Sequence, residues 1–133
     1  MNPIIKIFMD MYDDNRRKYF ENLAERFRGL VTEEKLYTDC HFSLDSAAGR
    51  LGESRHNVSH AINQYLKTDF LSFVNELRLT EAKILMKEPE NAGLTIDEIG
   101  RKAGFSVRTS FFRVSKKITG CTPSELRSKP INK

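Results

Sequence analysis

Apolar residues recur along most of this chain at the three- and four-residue spacing of an α-helix, with polar residues between them. This pattern predicts a long first helix over 4–30, whose apolar positions include Phe8, Tyr12, Tyr19, Leu23, Phe27 and Leu30. Thr32 is a favourable N-cap for a short second helix that ends near Thr38. A further long helix is predicted over 70–87. It is expected to end there because Pro89 disfavours helical backbone in the residue before it. No stretch shows the alternation of a β-strand, so the predicted fold class is all-α.

One local pattern occurs twice, and its two copies contain Gly52 and Gly104 at equivalent places. Each glycine follows a short helical segment with a small residue four positions earlier, Ala48 or Gly100. The small residue lets two helices approach, and the glycine permits a tight turn between them. The repeat therefore predicts two helix-turn-helix units.

Capping signals support the predicted starts of these helices. Ser43 stands before the first helix of the first unit. Thr95 with Glu98 forms a capping box before the second unit, and Thr122 with Glu125 forms another before a last short helix.

The element order predicts five segments. An N-terminal helical extension or linker covers 1–31, the first helix-turn-helix subdomain 32–69, a connecting helix 70–88, the second subdomain 89–128 and a tail 129–133. The extension could transmit a signal or form a dimer seam. A connecting helix of about 18 residues is roughly 27 Å long, which is of the order of one DNA helical turn.

Charge points towards an anionic partner. The 133-residue chain has a formal net charge of +4 and a pI of about 9.1. Its last part, 94–133, carries nine basic and three acidic residues, which is more positive than the whole chain. Cys40 and Cys121 have no disulfide or metal spacing, and no apolar run approaches the length of a membrane span. These features predict a cytoplasmic protein.

The second helix of each unit has a face suited to DNA. In the first, Val58 and Ile62 face the core, which leaves polar side chains without a carboxylate for base edges and phosphates: Arg55, His56, Ser59, His60, Asn63 and Gln64. In the second, Phe111 and Val114 pack inward, and the candidate DNA residues are Arg108, Thr109, Phe112, Arg113, Lys116 and Lys117.

Roles differ within this second set. Arg113 is the best candidate for a base contact, because arginine can bond bidentately to guanine. Lys116 and Lys117 are candidates for phosphate contacts, which add affinity without sequence information. The alternative to DNA contact for both helices is an ordinary solvated surface.

Other functions have less support. No paired carboxylates, nucleophile–base set or phosphate-cradling glycine loop emerges, so no enzyme is predicted. His56 and His60 have the spacing of a helical zinc pair, but no third ligand is fixed near them, and no metal or cofactor is predicted. A protein-interaction module built on a helix-turn-helix scaffold, without specific DNA binding, stays an alternative.

From Leu36 to Arg127 the chain resembles the DNA-binding domain of AraC-type bacterial transcription regulators. The residues that carry this resemblance in the second half are Ile96, Ile99, Gly100, Gly104, Phe105, Ser106, Phe111, Arg113, Lys116, Lys117, Thr119, Gly120, Thr122, Pro123, Ser124, Glu125 and Arg127. Those in the first half are Ser43, Leu44, Ala48, Leu51, Gly52, Ser59, Phe70, Asn75, Arg78, Ala82 and Lys83.

The resemblance implies two helix-turn-helix subdomains joined by one helix, with each recognition helix in the major groove of double-stranded DNA. It matches His56, Ser59, His60 and Asn63 to groove-facing positions. It also implies the output domain of a larger sensor-regulator, RNA polymerase and a second copy of the chain as candidate partners, and a location at the bacterial nucleoid.

Four positions depart from the family pattern, among them Ala47, which is smaller than the usual branched residue. Lys67 stands where glycine is usual, so either it adopts a left-handed conformation at some cost or the turn differs. The family prefers a small polar residue and an aromatic where this chain has Phe112 and Ser115. Either Phe112 is exposed towards DNA or the helix is rotated to bury it, and exposure is the expectation.

Overall fold

The computed structural model describes residues 2–129, and the regular elements among them are all helical. The α-helices are α1 (Pro3–Glu33), α2 (Leu44–Leu51), α3 (Arg55–Ala61), α4 (Phe70–Lys87), α5 (Ile96–Ala103), α6 (Arg108–Thr119) and α7 (Pro123–Ser128). The all-α prediction is confirmed, as are the bounds of α4. No helix within residues 2–129 is long and apolar enough to cross a membrane. The predicted tail lies outside the described residues apart from Lys129.

The first helix is longer than predicted, and the short helix predicted to follow it is wrong. α1 continues through Gly29 and Thr32 to Glu33, and Val31 in this stretch is fully buried. Lys35 then adopts the left-handed conformation, with φ of 51°, and a single 3-10 turn follows over Leu36–Thr38. Burial of Val31 outweighs the low helix propensity of glycine and threonine, so the helix passes the residue expected to cap a new one.

The apolar stripe of α1 is buried only in its second half. Leu23 and Phe27 are fully buried, and Phe20 joins them at 7% exposure. Phe8 and Tyr12, which belong to the same apolar pattern, are 70% and 64% exposed. The period of a helix identifies its apolar face but not whether another element covers that face.

The chain forms two compact units that are not contiguous in sequence. The first combines the residues up to Leu30 with Ser43–Phe70, and the second combines Val31–Phe42 with the residues from Leu71 onwards. The buried apolar side chains of the first unit are Phe20, Leu23, Ala24, Phe27, Ala47, Ala48, Leu51, Val58, Ala61 and Ile62.

The second unit has its own hydrophobic core. Its buried members are Leu79, Ala82, Leu85, Ile99, Ala103, Phe105, Phe111 and Val114. The rings of Phe105 and Phe111 stack with centroids 4.9 Å apart. Gly100 is the small residue that this packing needs, because a Cβ there would lie 2.6 Å from Cδ2 of Phe111.

Side-chain caps fix the starts of the helices that frame each turn. The Ser43 hydroxyl accepts a hydrogen bond from the backbone N–H of Ser46 at 3.1 Å. Thr95 and Glu98 form the predicted capping box, and Thr122 and Glu125 form the second one. Each glutamate carboxylate accepts a hydrogen bond from a backbone N–H, and this bond lowers the pKa of the carboxyl.

Arg78 is a buried cation in the second unit. It is only 6% exposed, and its guanidinium donates to the carbonyl oxygens of Tyr37 at 2.7 Å and Asp39 at 3.1 Å. Burial lowers the pKa of Arg78. These bonds fasten the segment 31–42 to α4, since they satisfy both the charge and the two carbonyl groups.

The helix α3 ends in two irregular features. α3 widens into a π-helical turn over Ile62–Leu66, and Lys67 then adopts φ of 57° and ψ of 37°. The left-handed alternative for Lys67 is therefore the one observed. A β-carbon is unfavourable in this conformation by about 1–2 kcal/mol.

We expect Lys67→Gly to stabilise the first unit by about 0.5–1 kcal/mol, because relief of the left-handed strain exceeds the entropy that glycine adds to the unfolded chain. Urea unfolding followed by far-UV circular dichroism measures the effect. The matched control is Lys83→Gly inside α4, which should destabilise by about 1 kcal/mol. A loss of stability in both variants would contradict the expectation.

Candidate nucleic-acid interface

The first helix-turn-helix consists of α2, a left-handed turn at Gly52 with φ of 67°, and α3. The Ser54 hydroxyl caps α3 by accepting from the N–H of Asn57 at 3.1 Å. Val58 and Ile62 are fully buried, which confirms the predicted inner face of this helix. That orientation turns the polar side chains of the segment outwards.

The predicted residues of this helix divide by exposure. His56, Asn63 and Gln64 are exposed, and so is Arg55, whose guanidinium lies 3.5 Å from the Asp45 carboxylate. An ion pair this open to solvent contributes little stability and leaves the arginine available. The half-buried members of the set are Ser59 and His60.

Contacts from the aromatic side chains of α1 reach this helix-turn-helix, and no sequence pattern predicted them. The ring of Phe20 meets the imidazole of His60 edge to face, with centroids 4.6 Å apart. The Tyr19 hydroxyl donates to the Glu53 carboxylate, whose other oxygen accepts from the Asn57 amide at 3.2 Å.

The second helix-turn-helix consists of α5, a turn at Gly104 with φ of 112°, and α6. Phe111 and Val114 are buried, as predicted. The exposed members of the predicted set are Arg108, Thr109, Arg113, Lys116 and Lys117.

The exposed cationic side chains of α6 differ in whether they have partners within the molecule. Arg108 is held by the Asp97 carboxylate at 2.9 Å and by the ring of Phe112, whose centroid lies 4.5 Å from the guanidinium carbon. Arg113, Lys116 and Lys117 form no salt bridge with any of residues 2–129. These three exposed side chains are therefore available to an external anion, although Lys116 also interacts electrostatically with Glu125.

Phe112 is less exposed than expected from the sequence. It is half-buried, and the guanidinium of Arg108 lies over its ring. Ser115 is fully buried, and its hydroxyl donates to the carbonyl oxygen of Cys121 at 2.7 Å. The hydrogen bond satisfies a hydroxyl in a place where the family has an aromatic side chain.

The charge of both recognition segments has one sign. Neither 55–66 nor α6 contains an aspartate or glutamate, although the chain has 18 of these residues in all. Within residues 2–129, no group of three or more histidine, cysteine, aspartate or glutamate side chains is placed to hold a metal ion. Such a surface suits a polyanion that also offers hydrogen-bonding groups.

Known proteins with similar sequences carry the same domain. A family model described as a helix-turn-helix domain matches residues 47–129. The arabinose operon regulatory protein of Salmonella typhimurium is 36% identical over 90 residues, which are 68% of this chain and 31% of that protein. An uncharacterized HTH-type transcriptional regulator of Staphylococcus aureus is 28% identical, over 93% of this chain and 17% of its own length. The chain thus spans less than a third of either relative.

Solved structures have the same fold. The C-terminal domain of AraT, a response regulator from Geobacillus stearothermophilus, superposes with a TM-score of 0.71 at 24% identity, covering 84% of this chain and 88% of that one. The C-terminal domain of the two-component response regulator yesN from Fusobacterium nucleatum gives 0.68 at 25% identity, covering 80% and 99%. With the matched domain and the two helix-turn-helix units, these similarities show that the chain belongs to the AraC-type helix-turn-helix family.

Proposed function

We propose that this chain is a sequence-specific DNA-binding domain of a bacterial transcription regulator, acting at the nucleoid. In this proposal α3, with its π-helical continuation, and α6 each enter a major groove of double-stranded DNA. Arg113 and Asn63 contact bases, whereas Lys116 and Lys117 contact phosphates.

One observation carries the proposal. Both helix-turn-helix units direct a helix free of carboxylates towards solvent, and on α6 Arg113, Lys116 and Lys117 form no salt bridge among the described residues. Unpaired cations on a helix that fits the major groove give both affinity for phosphates and hydrogen bonds to base edges. The named functions of the relatives agree with this chemistry.

Selection from random duplex DNA at about physiological salt tests the proposal. Enrichment of a long motif with two parts about 10 base pairs apart is expected, because that is the helical repeat of the duplex. One short motif would assign specificity to a single helix. Binding that enriches no sequence and only weakens with salt would refute sequence-specific binding and favour the interaction-module alternative.

Two substitutions in α6 should separate base contacts from phosphate contacts. We expect Arg113→Ala to cost about 1–3 kcal/mol on the selected site and to relax the preference at one base pair. Lys117→Ala should weaken binding to all sequences alike and lower the slope of log affinity against log salt by about one. Fluorescence anisotropy on matched and mismatched duplexes measures both effects.

The control for this pair is Lys87→Ala, which removes an exposed lysine at the end of α4. It should change neither the preference nor the salt slope by as much. If Arg113→Ala and Lys117→Ala had the same effect on every duplex, the division of roles would be wrong.

We also propose that a second copy of the chain covers the N-terminal half of α1. Among its exposed apolar side chains, Ile4, Ile5, Phe8, Met11 and Tyr12 are each more than half exposed and share one face, which Ile7 and Met9 flank. The opposite face carries Lys6, Asp10, Asp13 and Asp14. An amphipathic helix can bury such a face against an identical one about a two-fold axis.

Equilibrium sedimentation tests this pairing. We expect a dimer that Phe8→Glu converts to a monomer, because the substitution places a charge at the centre of the apolar face. Lys6→Glu changes charge on the polar face and should leave the dimer intact. A monomeric wild-type chain, or a Phe8→Glu variant that is still a dimer, would refute the proposed dimer interface.

A further inference from the structure

The C-terminal half of α1 contacts all three parts of the first helix-turn-helix: α2, the turn and α3. Tyr19 bonds Glu53 in the turn, and Phe20 packs on His60 in α3 itself. Arg26 adds a third contact, because its guanidinium donates to the carbonyl oxygen of Leu51 at 2.9 Å. All these residues belong to the first unit.

The Glu53 carboxylate links α1 to α3. One of its oxygens accepts from the Tyr19 hydroxyl and the other accepts from the Asn57 amide. The hydrogen bond to Glu53 raises the pKa of Tyr19, so the hydroxyl stays a donor throughout the physiological range. A carboxylate held at both oxygens fixes the direction in which α3 leaves the turn.

Phe20 acts on a second point of the same helix. It is 7% exposed, so its position is set by the core of the first unit. The edge-to-face contact at 4.6 Å restricts the imidazole of His60 to one side of α3. A side chain restricted in this way loses less entropy when it meets a base edge.

We propose that Tyr19 and Phe20 of α1 are positioning residues for base reading by α3, one through Glu53 and Asn57 and the other through His60. Neither residue touches DNA. The proposal rests on the proposed function, because it assigns to α1 a share in the sequence preference of the first helix-turn-helix. Any partner that turns α1 about its axis would thereby change which DNA the first unit prefers.

The test compares variants of α1 with variants of the recognition helices, by selection and by anisotropy on single-base mismatches. Tyr19→Phe and Phe20→Leu should each weaken binding to the selected site about fivefold, which corresponds to the loss of one modest interaction. The loss should appear as weaker discrimination at the base pairs whose preference His60→Ala or Asn63→Ala abolishes. Discrimination at the base pair marked by Arg113→Ala should stay as in the wild type.

The matched control is Tyr37→Phe. It also removes a tyrosine hydroxyl from a glutamate, since Tyr37 bonds Glu81 at 3.4 Å, but it does so in the second unit. It should leave the preference of α3 unchanged. A purely structural role for Tyr19 and Phe20 predicts instead an equal loss at every base pair, in proportion to the unfolded fraction, and that result would overturn the proposal.

A measurement without DNA separates this proposal from the proposed function. The ring current of Phe20 should change the chemical shifts of the ring protons of the His60 imidazole in the nuclear magnetic resonance spectrum. Phe20→Leu should remove that change. A wild-type chain that selects no DNA sequence would refute the proposed function and the base-reading role together. Unchanged His60 resonances in Phe20→Leu would overturn the positioning contact even if DNA binding were specific.

Discussion

Replacement of Gly104 by alanine is expected to destabilise the second unit by about 2–5 kcal/mol. A Cβ at this position would lie 2.1 Å from the carbonyl oxygen of Tyr37 and 2.8 Å from Nε of Arg78. The backbone must also hold φ of 112°, which costs a residue with a side chain about 1–2 kcal/mol. The contact adds an overpacking penalty of about 1–3 kcal/mol, because the nearest atom is backbone and cannot rotate away.

Gly120→Ala separates these two contributions. Gly120 also has a positive φ, 78°, but no atom lies within 4 Å of its Cβ position. Its substitution should cost only about 1–2 kcal/mol. Urea unfolding of both variants by far-UV circular dichroism gives the comparison, and equal losses would show that the close approach to Tyr37 contributes nothing.

Arg78→Met is expected to lower the stability of the second unit by about 3 kcal/mol. Methionine fills much of the same volume, but it leaves the carbonyl oxygen of Tyr37 without its buried donor. The carbonyl oxygen of Asp39 loses the guanidinium but still accepts from the N–H of Phe42 at 3.1 Å. An unsatisfied buried acceptor costs about 1–3 kcal/mol. The same unfolding experiment measures the change.

Arg101→Met is the control for this loss, because Arg101 is exposed on α5 in the same unit. It should change stability by less than about 0.5 kcal/mol. Arg78→Met and Gly104→Ala share Tyr37 as a neighbour, so their effects should not add in the double variant. Full additivity would mean that the two residues act on separate parts of the unit.

Local signals predicted the helix-turn-helix units because their determinants lie close together in sequence. Ser43, Thr95 and Thr122 cap helices within three residues, and Gly100 faces Phe111 across a single turn. Such short-range chemistry can be deduced from the residues alone.

The rest depended on contacts between distant parts of the chain. Arg78 looks like a surface cation until the carbonyl groups of Tyr37 and Asp39 are placed beside it. The half-burial of His60 depends on Phe20, which lies in another helix. Periodicity likewise could not show that Phe8 lacks a covering element while Phe27 has one.

The candidate site was predictable in residue type but not in detail. The sequence identified which residues of α6 face outwards, yet not that Asp97 and Phe112 hold Arg108 while Arg113 stays free. The π-helical turn over Ile62–Leu66 also gave no sequence signal. It alters the angle at which Asn63 and Gln64 leave the helix axis.

The alternation of the chain between its two units limits how these proteins can exchange parts. The backbone leaves the first unit after Leu30, returns at Ser43 and leaves again after Phe70. A recombination event that transferred 43–70 alone would deliver α3 without Phe20, Leu23 and Phe27, which complete its core. The first unit can be inherited whole only if two separate stretches of the gene are transferred together. The two units should therefore diversify by point substitution rather than by exchange of segments.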